Sequence, residues 1–125
     1  MSDLLKIAEN LLLDLARERW LCEQCGHDLG HAREDVKRGL LVGERDPSEV
    51  HPPLIEGEYT FAPNPEWVRI LEFYCPGCGV QLETEYLPPG HPITHTTQID
   101  LDSLKARLAN GSLSIEDGHL KVVVP

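Results

Sequence analysis

Cys22-Glu23-Gln24-Cys25-Gly26 and Cys75-Pro76-Gly77-Cys78-Gly79 are two copies of the pattern C-x-x-C-G, with 49 residues (26–74) between the pairs. Two residues between thiols let a tight turn aim both sulfurs at one ion, and the glycine that follows lets the backbone curl so that amide N–H groups point at sulfur. Two such turns supply four sulfurs, enough for a closed tetrahedral cage. The separation exceeds the usual two-knuckle template, but the entropy of closing a loop grows only logarithmically with its length, so a long insertion is tolerable. The spacing therefore predicts Cys22, Cys25, Cys75 and Cys78 as the ligands of one metal ion. Zinc held this way has no open position and is structural rather than hydrolytic. Iron in a rubredoxin-like Fe(Cys)4 electron carrier is the competing occupant, and the long insertion fits a small redox carrier poorly. Two disulfides, four free thiols or redox use of one pair are the remaining readings.

The rest of the 125-residue chain explains why a clasp is needed. Ten Gly and ten Pro with only 6% aromatic residues describe a loop-rich fold with a thin core. The formal net charge of −10 makes attraction to phosphate backbones unfavourable, which argues against nucleic acid as a partner and against a zinc-ribbon adaptor of transcription or translation machinery. No apolar run approaches the roughly 20 residues that cross a bilayer, and no basic-then-apolar leader opens the chain, so no membrane partner and a cytoplasmic location are expected. Reduced thiols in that compartment favour metal over disulfides. Four thiolates and a divalent ion leave an excess of negative charge, which nearby amides or Arg17 and Arg19 are expected to offset.

Working outward from the second knuckle, 67–74 and 80–87 are rich in β-branched and aromatic residues and read as a hairpin with Cys75 and Cys78 at its turn. Before the first knuckle, Leu4, Leu5, Ile7, Ala8, Leu11, Leu12, Leu15 and Ala16 recur in three- and four-residue steps. With Ser2 as cap, this predicts an amphipathic helix over 3–19, its leucine face packed on the domain or docked on a partner. Five prolines between Asp46 and Pro65 make that stretch a crossing loop with at most a short extended piece at Glu58 to Phe61. Pro88-Pro89-Gly90-His91-Pro92 breaks the second strand and launches an exposed excursion, of the kind that more often docks or binds than catalyses. Asp100 or Asp102 caps a short helix through Leu101, Leu104 and Leu108, which Asn110-Gly111 ends. Leu113 to Ile115 and His119 to Val124, joined through Asp117-Gly118, read as a terminal hairpin. The expectation is one α+β domain over 1–125. It has a zinc-ribbon-like β core at 20–87, the N-terminal helix before it, and loop, short helix and hairpin at 88–125 after it.

None of the six histidines forms a zinc-protease pair with an adjacent Glu. His27 and His31 are four apart, but Gly26 and Gly30 argue against a regular helix there, and surface roles are expected. His91 and His95 lie in the excursion without a nucleophile. No Ser-His-Asp order, phosphate-cradling glycine loop or dinucleotide fingerprint appears, so no catalytic residue is expected on this chain.

Phe73-Tyr74-Cys75-Pro76-Gly77-Cys78-Gly79, followed by Leu82-Glu83-Thr84-Glu85, Pro88-Pro89-Gly90-His91-Pro92 and a downstream Asp100, resembles the small gamma-type subunits of acetone and acetophenone carboxylases. With the first knuckle included the resemblance covers about residues 20–105, the two ends matching only in general character, and the short length inclines toward the acetophenone branch. The resemblance implies a zinc-containing subunit of a large cytoplasmic complex, whose larger hydantoinase-like subunits activate a ketone with ATP and carboxylate it with bicarbonate. It also places the family's cysteine ligands on Cys22, Cys25, Cys75 and Cys78. Nothing in this sequence matches an ATP or ketone site, and the implied role is to bridge and order larger partners.

Overall fold

A computed structural model describes residues 4–50, 62, 64–95 and 97–123. The first four strands, β1 (Leu4–Ala8), β2 (Leu11–Asp14), β3 (Arg19–Cys22) and β4 (Asp28–His31), form an antiparallel meander in chain order. A 3-10 turn (Val36–Gly39) leads into β5 (Leu41–Arg45) and a one-turn helix α1 (Pro47–Val50). β5 pairs with β6 (Arg69–Tyr74), which pairs in turn with β7 (Gln81–Leu87), giving a three-stranded antiparallel sheet with β6 at its centre. Helix α2 (Leu101–Ala109) and the hairpin β8 (Leu113–Glu116) and β9 (His119–Val122) complete the described chain.

The N-terminal helix expected over 3–19 is not formed: β1, β2 and the start of β3 occupy that stretch. Its leucines satisfy a helical period, but they alternate as well. Leu11, Leu13 and Leu15 point inward in two-residue steps, as do Trp20 and Cys22, while the residues between them are partly exposed. Asn10 (φ 65°) and Glu18 (φ 56°) hold left-handed conformations at the two turns, which a helix does not contain. Helix propensity here yields to tertiary pairing, because β2 supplies the neighbour that β3 needs to carry Cys22 into its knuckle. Of the leucine face, Leu5, Leu11, Leu13 and Leu15 are buried in the chain's own core, with Ile7 packed against it.

That core joins both sheets. Leu5, Leu11, Leu13, Trp20 and Leu29 from the meander pack with Leu71, Phe73 and Leu87 from the second sheet, and Leu101 and Leu104 of α2 close it. Trp20 is fully buried and donates its indole N–H to the Glu34 carbonyl at 3.0 Å, so its burial leaves no donor unmet. Asp100 caps α2, accepting from the Ser103 amide at 3.1 Å, and Gly111 beyond the C-cap takes φ 84°. Asp117 (φ 51°) and Gly118 (φ 78°) make the two-residue turn of the terminal hairpin, where both positive angles match a type I′ turn. Within the proline-rich stretch, Asp46 caps α1 by accepting from the Ser48 amide at 2.8 Å. The extended piece expected at Glu58 to Phe61, and Ser2 as a cap, lie outside the described residues. Among the described residues no helix is long and apolar enough to cross a membrane.

Candidate metal centre

Each knuckle is built by the same two backbone hydrogen bonds. Cys22 N–H donates to the His27 carbonyl (3.0 Å) and Gly26 N–H returns to the Cys22 carbonyl (2.8 Å). Cys75 N–H donates to the Val80 carbonyl (2.9 Å) and Gly79 N–H returns to the Cys75 carbonyl (2.8 Å). Gly26 (φ 77°) and Gly79 (φ 81°) occupy the equivalent left-handed position, which is why glycine follows each second cysteine. β3 delivers the first knuckle and the β6–β7 hairpin the second, so one comes from each sheet.

The four sulfurs meet. Cys22 Sγ lies 3.8 Å from Cys78 Sγ and Cys25 Sγ 3.6 Å from Cys75 Sγ, and all four sit within 4.8 Å of one another. A disulfide needs about 2.05 Å, whereas four sulfurs placed tetrahedrally about 2.3 Å from one ion are about 3.8 Å apart. The observed distances match the second arrangement, and all four cysteines are free. They are positioned to hold a metal ion. Cys22 and Cys75 are fully buried, Cys25 and Cys78 exposed, so the cage has an inner and an outer side.

The charge such a cage gathers is met by backbone. The Gln24 and Cys25 amides face Cys22 sulfur, the His27 amide faces Cys25 sulfur, and the Gly77 amide lies 3.3 Å from Cys75 sulfur with that of Cys78 beside it. The His27 amide favours the Cys25 thiolate, but desolvation and the three neighbouring thiols outweigh it and push the thiol up to about 12. Burial likewise raises Cys22. At Cys75 burial acts in the same direction, but the Cys78 and Gly77 amides and the donating thiols of Cys25 and Cys22 overcome it and the pKa falls. Four thiols this close cannot all ionise without a cation among them. Arg17 and Arg19, expected to offset the charge, are engaged elsewhere: both face Asp28, Arg19 at 3.0 Å.

Two contacts beyond the cysteines fix the knuckles relative to each other. The His27 ring packs on Gly77, where an added Cβ would lie 3.0 Å from Nδ1. Asn10 stitches three segments: its carbonyl accepts from Glu23 N–H (2.9 Å), its side-chain oxygen from Gln24 (2.9 Å), and its amide donates to the Gln81 carbonyl (3.1 Å) just past the second knuckle. Asn10 was concealed inside the supposed helix. The one signal for it was an asparagine, tolerant of positive φ, interrupting a leucine-rich run. Among the described residues no histidine joins the cluster. His31 Nδ1 accepts from the Arg33 amide at 3.1 Å, and His91 and His95 stand on the exposed excursion.

Four cysteines carried by two glycine-closed knuckles, one from the meander and one from the second sheet, define a protein with a candidate two-knuckle metal site. A family model of the acetone carboxylase gamma subunit matches residues 3–109, and the chain belongs to that family. It is 59% identical over 120 residues to the acetophenone carboxylase beta subunit of Aromatoleum aromaticum, covering 96% of this chain and 93% of that one. It is 33% identical over 85 residues to the acetone carboxylase gamma subunit of Xanthobacter autotrophicus, covering 65% of this chain and 46% of the relative.

Proposed function

We propose that this chain is the zinc-binding, non-catalytic small subunit of an ATP-dependent ketone carboxylase in the cytoplasm, a single domain over 1–125 that organises larger hydantoinase-like subunits. The observation that carries the reading is the near end-to-end likeness to the acetophenone carboxylase beta subunit. Acetophenone is accordingly favoured over acetone as the ketone that the complex carboxylates with bicarbonate. Cys22, Cys25, Cys75 and Cys78 hold one Zn2+, as the four-sulfur donor set and its spacing support. A metal with four protein ligands has no position left for substrate, so the ion's role is to fix the two sheets, and the ketone chemistry falls to other subunits.

Native mass spectrometry of the chain isolated with its source complex, combined with metal analysis, tests both halves. The expected result is one zinc per copy in an assembly with larger subunits. A stable monomer that meets no larger subunit overturns the subunit role. A red protein with one iron and a reversible one-electron couple favours the electron-carrier alternative instead.

A further inference from the structure

The terminal hairpin has an apolar face that the core covers on one strand and leaves open on the other. Its register sets Leu113 opposite Val122 and Ile115 opposite Leu120, so these four residues share one face, while Ser114 with Lys121 and Glu116 with His119 share the other. Leu113 and Ile115, on β8, pack against the core. Leu120 and Val122, on β9, overhang it at 43% and 71% exposure, and Val123 beyond them is 47% exposed. Elsewhere in the described chain the exposed large apolar residues stand singly, as Trp67, Tyr86 and Ile93 do, or give way within two residues to Glu44 and Arg45, as Leu41 and Val42 do on β5.

The outer edge of β9 is bare as well. The two-residue turn makes Glu116 and His119 a hydrogen-bonded pair, and at the far end Val123 N–H donates to the Ser112 carbonyl at 3.0 Å. Alternation between these ends turns the backbone N–H and C=O of Lys121 toward β8 and those of Leu120 and Val122 away from it. No described residue bonds these outward groups. β1 touches this edge at the turn, where Lys6 N–H donates to the Gly118 carbonyl at 2.7 Å, and among the described residues no hydrogen bond joins the two strands beyond it. Natural sheets guard such an edge with charge or proline. Here the outward positions hold leucine and valine, and Lys121 lies on the other face, 3.9 Å from Glu116.

What such an edge recognises is main chain. An extended segment beside β9 supplies donors and acceptors at two-residue spacing, together with side chains that cover Leu120 and Val122. A second copy of this chain is opposed by charge, since each carries a formal −10 and the copies repel. The family model stops at residue 109, before the hairpin, whereas the likeness to the acetophenone carboxylase beta subunit, over 120 of the 125 residues, reaches into it. The hairpin thus belongs to what this chain shares with that subunit, and lies outside the part that the family model describes.

We propose that β9 is a strand-addition site: an extended segment of a larger subunit of the complex pairs its main chain with Leu120 and Val122 and lays apolar side chains over them, extending the hairpin to three strands. This rests on the reading of the chain as a carboxylase subunit.

The test adds the larger subunits of the source complex, produced without this chain, to the full-length metal-loaded protein, and follows amide hydrogen exchange and affinity. In the free protein the Leu120 and Val122 amides should exchange faster than those of Lys121 and Val123. In the complex the first two should slow at least about tenfold while the others change little. Val122→Pro deletes an outward donor and no hairpin bond, and should weaken binding at least about tenfold, whereas Val122→Thr keeps the donor and should stay within about threefold. Trp67→Ser, at an apolar residue 75% exposed in a turn, should bind within about twofold of wild type. Metal content and melting temperature of Val122→Pro should match wild type, and the exchange pattern of the wild type needs no variant at all. A complex in which the Leu120 and Val122 amides exchange as fast as in the free chain overturns strand addition, as does wild-type affinity in Val122→Pro. So does protection of the same two amides in the chain alone as its concentration rises, since the occupant is then a second copy. Failure of the wild-type chain to bind the larger subunits overturns instead the subunit reading on which the proposal stands.

Discussion

At the scale of single residues, this fold depends on backbone positions that only certain side chains tolerate. Asn10 combines a left-handed φ of 65° with two side-chain hydrogen bonds that reach Gln24 and Gln81. Asn10→Gly keeps the conformation and loses the bonds, an expected cost of about 1 kcal/mol. Asn10→Val loses both, and its branched Cβ is strained at positive φ, so about 2–3 kcal/mol is expected. Equal losses in the two variants, read from denaturant midpoints, would show that the conformation contributes nothing. Two glycines divide in the same way. A Cβ at Gly39, in the 3-10 turn, would sit 1.8 Å from the Leu29 carbonyl oxygen, and backbone in the neighbouring strand cannot step aside. Gly39→Ala should cost about 3 kcal/mol. At Gly77 the added methyl meets the exposed His27 ring at 3.0 Å, and that ring can swing outward, so Gly77→Ala should cost under about 1 kcal/mol. Thermal melts of the two variants side by side decide the point, and a reversal of their order would contradict it.

At the scale of elements, Glu18 ties the β2–β3 turn to α2. Its carboxylate meets Arg33 at 2.9 Å and Lys105 at 2.5 Å, and Arg33 reaches on to Asp102 at 2.8 Å. Hydrogen bonds from Arg33 and then Lys105 hold the Glu18 carboxyl down to about 2, from an ordinary value of 4.5. A carboxyl whose pKa is depressed on folding stabilises the fold fully above its unfolded value and loses that contribution as pH falls through its folded value. The stability gap between wild type and Glu18→Gln should therefore be constant from pH 7 to about 4.5, narrow between about 4.5 and 2, and shrink in high salt. A gap that holds its size below pH 4 would remove Glu18 as the source. How much of this architecture could be read in advance follows from how local each signal is. Both knuckles, the β6–β7 hairpin, α2 with its Asp100 cap and the Asp117-Gly118 turn all announce themselves within a few residues. The meander did not, because Leu4 to Leu15 satisfies two periods at once and the choice between them is made by β3, through pairs such as Leu13 with Trp20. The Lys37–Glu85 pair joins residues 48 apart and leaves no trace in either local pattern.

At the scale of the molecule, the two knuckles are the places where sulfurs from both sheets meet. Cys22 ends β3 in the meander and Cys75 follows β6 in the second sheet, so a metal held by both closes the chain across the long insertion. A structural zinc site contributes on the order of 10–16 kcal/mol of apparent binding energy, whereas a whole domain is stable by only about 5–15 kcal/mol. The comparison decides the expected behaviour: the apo chain should not merely soften but lose its tertiary structure. On the proposed zinc reading, removing the ion would also leave four thiols in mutual contact, with Cys22 and Cys75 buried, and nothing to compensate their thiolates. Chelation at pH 7 should abolish the cooperative melt and near-ultraviolet signal of Trp20, and zinc should restore them. Cys75→Ser, which removes a buried ligand, should behave as the chelated protein does at every metal concentration. Cys78→Ser, which removes an exposed one, should retain weak metal-dependent folding because water can reach the vacated position. A melting temperature unchanged by chelation or by Cys75→Ser would mean that the hydrophobic core alone holds the sheets together, and that the sulfur cage is incidental to the fold.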